Sequence, residues 1–170
     1  GLRGLNFAPL PGAEEEGRII TDRVIANDGG SDVYFGEAAQ ENVLANIEET
    51  PEILHMATHG FFLEADDNLR KRLLKMQRSS DVQVPPPGDN PLLRSGLAFA
   101  GINSNAPFLG DIDTDNDGVL TALEVLSLDL SGTRLVVLSA CETGLGEIHE
   151  GEGVYGLRRS FQEAGVAEVI

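Results

Sequence analysis

The chain is short of cysteine, of positive charge and of long apolar runs, and each shortage narrows what it can be. One cysteine, Cys141, cannot form an internal disulfide, which excludes a disulfide framework and favours a reducing, cytoplasmic setting. With 12 basic against 28 acidic residues the net charge is −16, so nucleic-acid phosphate and anionic lipid surfaces are repelled and neither nucleic acid nor membrane is expected as a partner. No stretch approaches the ~20 apolar residues of a membrane span, and the start carries no basic-then-apolar leader. At 170 residues the chain matches one domain and falls short of two.

What is present is a pair of short apolar runs, each stopping at a reactive side chain among small residues. Glu52 to Gly60 reads E-I-L-H-M-A-T-H-G, and Leu135 to Gly144 reads L-V-V-L-S-A-C-E-T-G. Parallel α/β sheets deliver ligand-binding and reacting groups in this way, at the carboxyl edge. One end offers the imidazole of His59, the other the thiol of Cys141. Imidazole titrates near neutral pH and the thiolate is the attacking species, so the two types together point to a cysteine nucleophile with its general base. The plainer reading is a buried free cysteine and a packed core histidine. Gly60 after His59 and Ala140 before Cys141 leave the backbone open to a substrate, so the N–H groups of Gly60 and Cys141 are candidates for an oxyanion hole.

H-M-A-T-H-G with L-S-A-C-E-T-G-L-G resembles the CHAT domain, a caspase-like cysteine peptidase family often attached to tetratricopeptide repeats. Leu10 to Glu16, Gly36 to Ala39, Asp117 to Glu124 and Gly151 to Gly165 resemble further landmarks of that family in order, so the likeness covers nearly all of residues 1–170. It implies an α/β, caspase-like three-layer fold with a mainly parallel sheet, incomplete at both ends, and a long insertion at about 62–132 between the His and Cys strands. It implies His59 as catalytic base, Cys141 as nucleophile, a protein or peptide substrate, and a repeat domain attached or partnered outside this chain. The caspase signature Q-A-C-[RQG]-G is here S-A-C-E-T, and His59 lies much farther upstream than the ~50 residues of caspases, so their preference for Asp substrates is not carried over.

Local pattern predicts a helix over 14–25 after Pro11-Gly12, a short strand over 32–35, a helix over 37–48 and one strand running into His59, with His55 a packing residue on the same face. A basic amphipathic helix is predicted over 68–77 and a Pro-rich loop over 79–91, followed by an apolar segment over 92–102 that re-enters the fold. A buried strand is predicted over 135–140, a helix over 154–164 ended by Gly165, and a last strand over 166–170.

The insertion carries a second signal. Asp113 to Glu124 reads D-T-D-N-D-G-V-L-T-A-L-E, with oxygen donors at loop positions 1, 3, 5, 9 and 12 of an EF-hand and glycine at position 6. Asp113, Asp115, Asp117, the Val119 carbonyl, Thr121 and Glu124 are therefore the candidate ligands of one Ca²⁺. The alternative is a solvated acidic loop, because Asn103 to Asp111 lacks the period of an entering helix. Three further patterns fail. Gly151 to Gly156 satisfies G-x-G-x-x-G but does not follow a strand and is ringed by Glu147, Glu150 and Glu152, which repel a pyrophosphate. A His55–His59–Cys141 zinc set lacks the Glu of H-E-x-x-H and a second cysteine, and Ser139 lacks the G-x-S-x-G elbow of a serine hydrolase.

Overall fold

Two apolar runs far apart in sequence are neighbours in space. Strand β1 (Ile53–Ala57) and strand β5 (Leu135–Ser139) pair in parallel, Ile53 opposite Leu135 and Ala57 opposite Ser139, and β6 (Glu168–Val169) adds in parallel to the far side of β5. The computed structural model describes residues 6–27, 29–62, 91–105, 116–139 and 152–170. The helix expected over 68–77 and all but the end of the Pro-rich loop lie outside these residues.

A second sheet is antiparallel, in the order β2 (His59–Phe62), β3 (Ser95–Ala98), β4 (Val119–Thr121). The fold is thus mixed α/β. Its helices are α1 (Pro11–Ile25), α2 (Asn42–Ala45), α3 (Ile102–Asn105), α4 (Ala122–Val125) and α5 (Glu152–Glu163), with 3₁₀ turns at Gly36–Ala38 and Pro91–Leu93.

Side chains alternate across a strand, and the parallel register puts residues of like parity on one face. Leu54, Met56, Val136 and Leu138 join a core that also takes in Leu97 and Leu120 of the second sheet, Val125 of α4, and Leu157 and Phe161 of α5. His55 and Ser139 project from the opposite face, where both meet Glu16 of α1. Helix α5 ends as expected: Gly165 takes a positive φ of 107°, and the N–H groups of Gly165 and Val166 return to the carbonyls of Gln162 and Phe161.

Three expectations are corrected. No strand forms over 32–35, because the segment has no ladder partner and leaves Val33 and Tyr34 exposed. The single helix expected over 37–48 is a 3₁₀ turn and the four-residue α2; Ala39 breaks it with a non-helical ψ of 68°, and its carbonyl accepts the Ala100 N–H instead of a helical partner. Helix α1 begins at Pro11, whose missing N–H costs nothing in a first turn, and none of its side chains is buried although Ile19 and Ile20 supplied the helical period.

Phe161 is fully buried, so Phe161→Ala should destabilise the fold by about 3–5 kcal/mol, seen as a lower urea midpoint at unchanged m-value. Tyr155→Ala, on the same helix but 72% exposed, should change stability by less than about 0.5 kcal/mol.

Candidate functional site

The β1–β5 register decides where the two motifs that carry His59 and Cys141 leave the sheet. Ala57 and Ser139 are partners, and each chain runs two residues further to His59 and to Cys141. The two motifs therefore leave neighbouring parallel strands at one carboxyl edge, where open α/β sheets place their ligands. Cys141, and with it one of the two expected oxyanion N–H groups, lies outside the described residues.

The expectation of one strand ending at His59 is corrected. The chain leaves the parallel sheet at Thr58, whose hydroxyl donates to the Ala98 carbonyl, and His59 opens β2 in the antiparallel sheet opposite Ala98. Gly60 follows, buried, opposite Leu97. His55 and His59 consequently belong to different sheets, and the alternation that put them on one face does not apply across the break.

His59 is buried, and its Nε2 lies 2.7 Å from the Ala8 carbonyl oxygen. A carbonyl can only accept, so Nε2 carries the proton, and in the neutral ring the lone pair sits on Nδ1. The Phe7 ring packs against the imidazole with centroids 5.6 Å apart and against Phe61 at 6.2 Å. Phe7, Phe61, Ala98, Ile102 and Val119 form a small core of their own beside the histidine. Sequence reasoning missed Ala8, since any residue carries a carbonyl and only placement gives this one a role.

Glu16 links the paired strands below their ends. Its Oε1 is 3.1 Å from His55 Nε2, and its Oε2 accepts the Ser139 hydroxyl at 3.0 Å. The carboxylate stands between serine and histidine, so this is no serine nucleophile with its base, which would need the two in direct contact. It ties α1, which buries no side chain, to the sheet. His55, expected only to pack, has an ionisable partner.

Of the acidic loop, Asp117, Val119, Thr121 and Glu124 are described, while Asp113 and Asp115 lie outside the described residues. Gly118 takes a φ of 87°, and a Cβ there would stand 2.4 Å from the Ile102 nitrogen, so only glycine fits. Asp117 Oδ1 accepts the Val119 N–H at 2.7 Å. Thr121 and Glu124 form a capping box: Glu124 Oε2 accepts the Thr121 N–H at 2.6 Å and hydroxyl at 2.7 Å, and Thr121 Oγ1 accepts the Glu124 N–H at 3.2 Å. Among the described residues no three His, Cys, Asp or Glu side chains converge as a metal-binding set.

Glu41, just before α2, is buried beside this loop, and among the described residues its Oε2 has no hydrogen-bond partner. Desolvation, then repulsion from Glu124 and Asp117, push its carboxyl up to about 7 from the ordinary 4.5, against hydrogen bonds from the Gly118 and Val119 backbone.

The model of one protein family, the CHAT domain, matches residues 2–170. The chain belongs to the CHAT domain family. Comparison with curated proteins and with solved structures finds no match. Membership relates this CHAT domain to caspase-like cysteine peptidases.

The Glu41 shift has a definite sign. Its folded pKa lies above the unfolded value, so its protonated form stabilises the fold below about pH 4.5, and that stability is lost as pH rises towards and through about 7. In EDTA-containing buffer Glu41→Gln should remove this decline and leave the variant about 3 kcal/mol more stable than the parent at pH 8, as measured by denaturant titrations across pH 4.5–8.

Proposed function

We propose that this CHAT domain is a cysteine-type endopeptidase that hydrolyses peptide bonds of protein substrates through Cys141 and His59. The adjacency of β1 and β5, whose last paired residues stand two positions before the histidine and the cysteine, carries the reading. His59 accepts the thiol proton. The sulfur attacks the substrate carbonyl, and the N–H groups of Gly60 and Cys141 hold the oxyanion while the C–N bond breaks. His59 returns the proton to the leaving amine, and water then hydrolyses the thioester with His59 as base. In this reading the described sheets belong to a caspase-like three-layer core, and a repeat domain outside this chain selects or presents the substrate.

Cys141→Ala and His59→Ala should each abolish cleavage of a mixed-sequence peptide library, and the double variant should be scarcely worse than either, because the pair acts as a unit. Iodoacetamide at pH 6 should label the parent thiol quickly, where an ordinary thiol of pKa ~8.5 reacts slowly. Slow labelling with no cleavage by the parent would leave a catalytically silent caspase-like interaction or calcium-sensing scaffold module, the alternative use of the same fold.

The acidic loop supports a subsidiary proposal, that the insertion binds one Ca²⁺ through Asp113, Asp115, Asp117, the Val119 carbonyl, Thr121 and Glu124. The EF-hand spacing favours it, as does the unpartnered Glu41 oxygen buried beside Asp117 and Glu124, whose mutual repulsion a cation relieves. Calorimetry should then give one Ca²⁺ per chain, lost in Asp113→Ala, with Mg²⁺ a poor substitute and a calcium-dependent rise in Tm. No heat at millimolar Ca²⁺ would leave a solvated acidic turn.

A further inference from the structure

The proton on His59 Nε2 is directed by a backbone carbonyl, and that carbonyl belongs to a short segment, Phe7–Ala8, that crosses the histidine from far away in sequence. Backbone holds its direction only if its own peptide planes are fixed. Here one side chain does this on both sides of Phe7. Asn103 Oδ1 accepts the Phe7 N–H at 3.0 Å, and Asn103 Nδ2 donates to the Phe7 carbonyl at 2.9 Å. A side-chain amide is suited to the task, because it offers one acceptor and one donor in a plane and so satisfies both groups of a residue as a neighbouring strand would. The Phe7 peptide that Asn103 grips on its carbonyl side continues directly into Ala8.

We propose that Asn103 is a positioning residue for His59, acting through the backbone of Phe7 and Ala8. Its own placement is tightly set. Asn103 follows Ile102, which is buried in the small core with Phe7, Phe61, Ala98 and Val119, and whose nitrogen approaches Gly118 too closely for any side chain there. The grip and the Phe7 ring thus act together: the ring packs at a tilt against the imidazole, the amide fixes the backbone, and the Ala8 carbonyl holds the proton on Nε2 so that Nδ1 serves as the basic atom. Alanine at 103 loses both hydrogen bonds. Aspartate keeps the acceptor for the Phe7 N–H, loses the donor, and sets its charge against the Phe7 carbonyl.

The inference rests on the peptidase reading for its catalytic consequence only, since the ring's tautomer is measured independently of turnover. In the full-length protein, long-range ¹H–¹⁵N spectra of the histidine rings, assigned with variants of His55 and His149, should show His59 as a single Nε2–H tautomer. In Asn103→Ala the two ring nitrogen shifts should move towards each other as the tautomers mix, with kcat down about tenfold and KM within about twofold. Asn103→Asp should fall in the same direction, and it carries the comparison if the alanine variant does not fold. An unchanged tautomer and unchanged kcat in a folded Asn103 variant would overturn the proposal. A parent with a fixed tautomer that shifts in Asn103→Ala, but with no turnover, would uphold the positioning and overturn the peptidase reading.

Discussion

The parallel pairing of β1 with β5 is the constraint on which the rest depends. Parallel neighbours need a long connection, and the chain between these two strands supplies β2, β3 and β4 as a second sheet rather than a simple crossover. Because the register is fixed with Ala57 opposite Ser139, the two motif-bearing ends leave the sheet level with one another. A slip of β1 by one residue against β5 would turn Leu54 and Met56 out of the core and His55 into it, at a cost set by the apolar area lost.

Around this pairing the polar contacts of the site fall on two sides. On the α1 face, Glu16 joins His55 to Ser139; beside the second sheet, Phe7 and Ala8 cover His59 under the grip of Asn103. Both contacts use the amino-terminal part of the chain, which buries only Phe7 among the described residues before α2 and Glu41. Its attachment is therefore directional more than hydrophobic. Net hydrogen-bond contributions are small, so such a segment adds little to stability while setting orientation.

The elements that local chemistry governs were legible: the apolar runs of β1 and β5, the glycine end of α5, and a helix near Pro11 that needed only an earlier start. Where the chain exchanges local for distant partners, pattern misled. The helical period over 37–48 is genuine, yet Ala39 gives its carbonyl to Ala100 and Glu41 is drawn to the acidic loop. The apolar run through Thr58 looks continuous, yet the threonine hydroxyl bonds Ala98 and the strand changes sheets. Thr121 and Glu124, legible as oxygen donors, cap α4.

By itself the sequence determined the chemistry available: one thiol, a histidine at each end of H-M-A-T-H, an acid-rich loop with glycine at its sixth position, and the family to which the chain belongs. These follow from residue identity and short-range spacing. Only the tertiary structure decided which atoms face one another. That His59 opens a second sheet, that Glu16 is the partner of His55, that the Ala8 carbonyl meets an imidazole some fifty residues away along the chain, and that the Asn103 amide holds the Phe7 backbone beside it are consequences of long-range packing. Backbone carbonyls are alike in every residue, and no local pattern distinguishes the one that folding brings to the histidine.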